Sequence, residues 1–361
     1  MTGLFLILSV VVTLACHFWF KPPTLLASGG LGIGSLLAVF LACQAAMYVS
    51  TSSTEILNGQ VTGKEQNTVS CSHSYQCNCR TVTTGSGQNQ TTTTVCDTCY
   101  EHSHDYDWDV YTTVGTFTID RVDRQGVDEP QRWSIVRNGD PVSTTHTYTN
   151  WIKPAGSSLF NVSHIDLTQY KDKLPKYPGR IYDYYKIDRI VSDYKIPNID
   201  SYEHYLSEQL ETLGPKRQAN MIFVITKNLN PTYADAVYAS WNGAEKNDIV
   251  VFLGVAQNGE IKWASVKAWS KFDIFQVTLR DALLDLKTFD MKKVIDTSVS
   301  ISYSKFERKP MKEFEYLSNE VQTITPVAGV IIAIFMLVIN IGGMIIIIRQ
   351  LENNGSYRYR Y

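Results

Sequence analysis

What this chain of 361 residues lacks narrows the field before any motif is weighed. Charge of one sign is missing: 33 Lys+Arg stand against 35 Asp+Glu, a net of −2 at neutral pH. No basic surplus exists to bind a phosphate backbone, so no nucleic-acid partner is expected. No motif announces a reaction type. A calcium loop is missing as well. "HDYDWDV" at 104–110 alternates acids as such loops do, but Val110 stands where the turn needs glycine and Thr116 where a closing glutamate belongs. That stretch is expected to be a strand with Asp105, Asp107 and Asp109 on one face.

Charge is almost absent from three longer stretches: "GLFLILSVVVTLACHFWF" (3–20), "LLASGGLGIGSLLAVFLACQAAMYV" (25–49) and "PVAGVIIAIFMLVINIGGMIIII" (326–348). Each approaches or exceeds the roughly 18–20 apolar residues a helix needs to cross the hydrocarbon core. Only Met1 and Thr2 precede the first, and without a positive n-region it reads as a retained helix rather than a signal peptide. The expected architecture is a transmembrane hairpin over 1–49, turned at Lys21-Pro22-Pro23 where proline breaks the helix. A large domain follows, then a third span over 325–348 and a tail over 349–361. His17, Gln44 and Asn340 are too few polar residues to line a pathway through the bilayer. "GGLGIG" at 29–34 and Gly342-Gly343 suit close helix packing, within one chain or in a homo-oligomer.

Cytoplasmic flanks of membrane proteins carry an excess of Lys and Arg. Lys21 lies in the turn between the first two spans, and Arg349, Arg358 and Arg360 follow the third, while residues 50–63 hold no Lys or Arg. The domain is therefore expected to be extracytoplasmic and the tail cytoplasmic. Arg308, Lys309 and Lys312 oppose this weakly, because long domains translocate largely regardless of charge.

Five of the seven cysteines and three of the seven histidines crowd into residues 71–104. Threonine-rich runs at 80–84 and 91–95 flank the turn-forming "GSGQNQ", the pattern of a β-hairpin. Pairing Arg80 with Val95 sets Cys79 opposite Cys96 and brings Cys77 toward Cys99. Four cysteines converging at one hairpin base suit a structural zinc ion, which takes four ligands. They also suit two disulfides. An oxidising compartment favours disulfides. The odd count favours metal, with His73, His102 or His104 able to replace a ligand. The balance leans to zinc on Cys77, Cys79, Cys96 and Cys99, with disulfides as the alternative; either role is structural.

Short strands with tight turns are expected over 108–165, which with the cysteine arm make a β-rich sub-domain at 50–175. After "KLPKYPGR" (173–180) the pattern changes to an α/β sandwich over 176–324. "SYEHYLSEQLETLG" (201–214) reads as a helix ended by Gly214 and Pro215, and "ANMIFVITKN" and "NDIVVFLGVA" read as buried strands. "PTYADAVYASW" and "TLRDALLDLKTF" are further helices, with the alternating strand "IKWASVKAW" between them.

Tyr233-Ala234, Trp241, Gly243 and Asn247-Asp248, followed by "LRDAL" at 279–283, stand in the order found in the TPM domain. Residues 200–317 resemble that extracytoplasmic module of thylakoid-lumen, bacterial envelope and animal membrane proteins. Two family features are altered: "dNG" is "KND", and a glycine-rich stretch after the third strand is "KAWSKF". The resemblance implies ligand-binding roles for Asp248 and Asp281, and both carboxylates are expected near the surface. It also implies a membrane-anchored protein that binds or chaperones another membrane or envelope component. A weak metal-dependent phosphatase of TPM type is the alternative.

Overall fold

The computed structural model describes residues 2–20, 25–85, 90–152, 167–170, 173–319 and 324–353. The Lys21-Pro22-Pro23 turn, the arm tip at 86–89 and the tail arginines Arg358 and Arg360 lie outside them.

Three helices are long and apolar enough to cross a membrane: α1 (Thr2–Phe20), α2 (Leu25–Thr51) and α8 (Pro326–Asn353). Their polar groups meet one another. Asn340 accepts a hydrogen bond from the Thr13 hydroxyl at 2.6 Å and donates to Ser35 Oγ at 2.7 Å, and the Ser9 and Ser35 hydroxyls lie 2.9 Å apart. These hydrogen bonds tie the three helices together. A Cβ at Gly32 would meet Thr13 and one at Gly343 would meet Leu31, whereas one at Gly29, Gly30, Gly34 or Gly342 would meet nothing within 4 Å. Close packing within the chain thus uses only part of the glycine-rich sequence.

Helix α2 runs directly into β1 (Ser52–Val69), an 18-residue strand. At ~3.3 Å per residue it carries the chain about 55 Å from the helix end. The first half of β1 pairs with β6 (Pro141–Thr149) and the second with β4 (Asp105–Thr112), both antiparallel. β5 (Gly115–Ile119) completes the order β5-β4-β1-β6. Trp108 and Val110 of β4 face a small core with Val61, Ile119 and Val136, the last just after the short helix α3 (Gln131–Ile135). The acids of β4 share the opposite face, as expected. Arg121 bridges Asp105 and Asp107, while Asn67 and Thr118 donate to Asp109.

Between β1 and β4 the chain leaves the sheet as an antiparallel ribbon, β2 (Ser74–Thr84) and β3 (Thr91–Tyr100). Arg80 pairs with Val95, the expected register. Among the described residues these two strands pair only with each other.

The remaining strands, β7 (Ile190–Ser192), β8 (Asn220–Thr226), β9 (Asp248–Val255) and β10 (Ile261–Ala268), form a sheet of order β10-β9-β8-β7. β7, β8 and β9 are parallel, and β10 is an antiparallel edge. Every residue of β8 and β9 is buried, which explains their unbroken apolar runs. Helices α4 (Ile199–Arg217), α6 (Ile274–Asp285) and α7 (Met291–Lys305) cover one face through Leu210, Phe275, Leu279 and Val294. Helix α5 (Thr232–Ser240) covers the other, where Val237 and Trp241 meet Val224 and Phe252. Leu167, Tyr170 and Leu174, which precede the expected boundary, pack with Trp241 on this second face.

One expected stop is overturned. Helix α4 continues through Gly214 and Pro215 to Arg217, with Gln218 in the left-handed region as its cap. A Cβ at 214 would sit 2.5 Å from the Asn58 carbonyl oxygen, so this glycine marks a close approach to β1 rather than a helix end.

Candidate metal centre

The four cysteines expected to hold zinc are joined as two disulfides, Cys77–Cys99 and Cys79–Cys96. Both bonds cross from β2 to β3 near the base of the ribbon, on either side of the irregularity between Cys77 and Arg80. A bonded sulfur offers no thiolate, so the four-cysteine zinc site is not formed.

The fifth cysteine of the stretch lies elsewhere. Cys71 follows β1, is buried and keeps a free thiol. Three donors surround it: His73 just before β2, His102 just after β3, and Asp105 at the start of β4. Cys71 Sγ is 4.0 Å from His73 Nδ1 and 3.8 Å from His102 Nδ1. Asp105 Oδ1 is 3.2 Å from His102 Nδ1, and Oδ2 is 3.5 Å from His73 Nδ1. One donor atom from each residue lies within 4.8 Å of all the others, so this cluster could hold a metal ion.

Asp105 is fully buried. Burial alone would raise its carboxyl. Hydrogen bonds from the Ser72 N–H and the Arg121 guanidinium, with Cys71 and His102 beside it, outweigh that and hold it far below the carboxylate range. His104 is not part of the cluster: its Nε2 is 2.9 Å from the Tyr106 hydroxyl and its Nδ1 is 2.8 Å from Ser103 Oγ.

Asp248 and Asp281 are not brought together. Asp281 is exposed on α6 and pairs with its neighbour Arg280 at 2.7 Å. Asp248, expected near the surface, is buried at the start of β9. Its Oδ1 accepts from Asn220 Nδ2 at 2.9 Å, and Oδ2 accepts from the Tyr177 hydroxyl at 2.7 Å and the Glu245 N–H at 2.8 Å. Burial raises its carboxyl against these three donors.

Asn220 continues the chain of bonds to Arg189, a fully buried cation that also donates to Asn58 on β1 and Ser143 on β6. Desolvation lowers Arg189 to about 10. The two sub-domains thus share a buried polar junction, and Ile152 of the first packs with Trp269, Phe314 and Leu317 of the second. A cleft of about 500 Å³ opens beside it, lined among others by Tyr182, Tyr185, Asp188 and Glu203. Burial pushes Glu203 up to about 7, although it accepts from the Arg189 and Ile190 N–H groups.

The ladder ends at Ser74 opposite Tyr100, and the same pairing carried outward brings His73 to Glu101 and residues 71–73 to 101–105. The spacings Cys-x-His and His-x-x-Asp at those ends were the available signal. Comparison with family models, curated protein sequences and solved structures finds no match for this chain.

Proposed function

We propose that this is a membrane-anchored protein whose large domain lies outside the cytoplasm and binds or chaperones another membrane or envelope component through the β2–β3 arm. The observation that carries the reading is the arm itself. It stands at the far end of β1, its outer edges are unpaired among the described residues, and nearly all its residues are exposed. Open strand edges are templates for an added strand, and proteins normally blunt or cover them. Two disulfides hold the ribbon without a core, and such bonds persist in oxidising compartments. That supports the orientation drawn from Lys21 and Arg349.

The parallel pairing of β8 and β9, with a membrane-length helix soon after, is consistent with the TPM resemblance of residues 200–317. In the same reading an ion at the arm's base is structural zinc, because four protein donors leave no open position for a substrate. The TPM-type phosphatase alternative has less behind it. Asp248 uses both oxygens within the fold, and Asp281 shares no neighbour with it.

A photo-crosslinker at Thr98, exposed on β3 and outside the arm's outer part, should yield a discrete adduct when activated in intact cells. The adduct should vanish when residues 81–94 are replaced by a two-residue turn. Protease added to spheroplasts should digest the domain and spare a reporter fused after Tyr361. A protected domain would reverse the orientation, and an adduct pattern unchanged by shortening the arm would remove it as the binding element.

A further inference from the structure

We infer that Cys71, His73, His102 and Asp105 bind one zinc ion, and that this ion fixes the angle at which the arm leaves the sheet. The inference goes beyond the binding reading and needs no partner to be correct.

Geometry is the first support. With Zn–N near 2.0–2.1 Å and Zn–S near 2.3 Å, donors at the corners of a tetrahedron are about 3.3–3.6 Å apart. Cys71 Sγ lies 3.8 and 4.0 Å from the two histidine nitrogens, the two Asp105 oxygens lie 3.2 and 3.5 Å from them, and one donor atom from each residue lies within 4.8 Å of every other. Contraction of the widest separation by about 1 Å closes them around an ion.

Chemistry selects the ion. One sulfur and two imidazoles exclude calcium and magnesium, which take oxygen ligands, and suit zinc. Charge also balances. A Cys71 thiolate and the Asp105 carboxylate offset a divalent cation, and the two histidines bind neutral. Arg121 is matched separately by Asp107 at 2.7 Å. The support around the donors is already built, since the Ser72 N–H and Arg121 Nη1 both hold Asp105 Oδ2. Such outer partners orient a metal-binding carboxylate.

Placement gives the role. Cys71 and His73 occupy the link from β1 into β2, and His102 and Asp105 the link from β3 into β4. The links already touch once, where the Glu101 N–H donates to the His73 carbonyl at 3.0 Å. One ion would clamp both links together, and with them the base of a ribbon whose strands pair only with each other among the described residues.

The test uses the full chain in detergent, its disulfides intact, stripped with a chelator and then equilibrated with zinc or cobalt. About one ion per chain should bind. Cobalt should give the visible bands of a tetrahedral site and a thiolate charge-transfer band. Zinc loading should slow amide exchange in residues 70–73 and 101–105 and leave β8 and β9 unchanged. Cys71→Ser and His102→Ala should each weaken binding at least about tenfold. His104→Ala, one residue outside the set, should leave it unchanged. Chelation is reversible and needs no substitution, so poor folding of a variant cannot hide the result. A wild-type chain that binds less than about a tenth of an ion would overturn the site. So would binding that survives Cys71→Ser and His102→Ala together and requires reduction of the two disulfides, since the ion would then sit on the other four cysteines.

Discussion

In the sandwich, every residue of β8 and β9 is buried and helices close both faces; in the ribbon, Cys77, Cys96 and Cys99 are the only described residues of either strand that are even half-buried. The first region is held by apolar surface removed from water, at roughly 25 cal/mol per Å². A lone two-stranded ribbon has no such surface and is marginal in water. Two disulfides supply what burial does not, by restricting the unfolded ribbon. The comparison teaches that a region can be as well defined as a core and still owe its order to a few covalent links. Its vulnerabilities then differ in kind.

The largest expected effect tests the sandwich. Trp241 is buried, its Nε1 donates to the Pro175 carbonyl at 2.8 Å, and its ring meets Tyr177 and Phe252. Trp241→Ala should cost about 3–5 kcal/mol through lost contacts and the cavity left behind. Denaturant melts of the domain should show this, while amide exchange in the ribbon stays the same. A loss under about 1 kcal/mol would mean that the second face of the sheet is not a core.

Next in size is the ribbon. Reducing Cys77–Cys99 and Cys79–Cys96 should cost about 2–4 kcal/mol locally. Amide exchange should rise throughout β2 and β3 while β8 and β9 keep their protection. Loss of protection in β8 would break the comparison. The route for such coupling is visible: Arg189 bonds Asn58 and Ser143 of one sub-domain and Asn220 of the other.

What was legible in the sequence follows the same division. Local periodicity marked the three apolar helices, the strands of the sandwich and the hairpin register, because each signal lies within a few consecutive residues. β1 was not foreseen. Asn58, Gln60, Lys64, Glu65 and Asn67 blur its alternation, and it is a strand because β4 and β6 pair with it. Gly214 read as a stop because nothing local announces that Asn58 arrives there. Arg189 drew no notice, since its partners lie 31, 46 and 131 residues away. The metal-capable cluster was half legible. In the sequence His73 and His102 are candidate ligands, but Cys71 is only the odd one of five cysteines, and Asp105 falls on a polar strand face.

The two acids drawn from the TPM resemblance sharpen the comparison at the small end, inside the sandwich itself. All three hydrogen bonds to Asp248 are donated to it. An asparagine there turns one acceptor into a donor facing the Tyr177 hydroxyl and the Glu245 N–H. The hydroxyl can rotate; the N–H cannot. Asp248→Asn should therefore cost about 1–3 kcal/mol. Burial raises this carboxyl above its ordinary 3.8, so the native state holds its proton more tightly than the unfolded chain. The stability linked to that proton is present below about pH 4 and is lost as pH rises through the raised pKa. The deficit of Asp248→Asn against the wild type should accordingly narrow from pH 4 toward neutrality.

Asp281→Asn should do almost nothing. Its carboxylate is exposed beside Arg280, its neighbour in sequence, and exposed ion pairs contribute little. A change within about 0.5 kcal/mol is expected at every pH, measured in the same melts. If Asp281→Asn proved as costly as Asp248→Asn, the two acids would share an environment despite lying on different elements. The TPM-type phosphatase would then gain the convergence it now lacks.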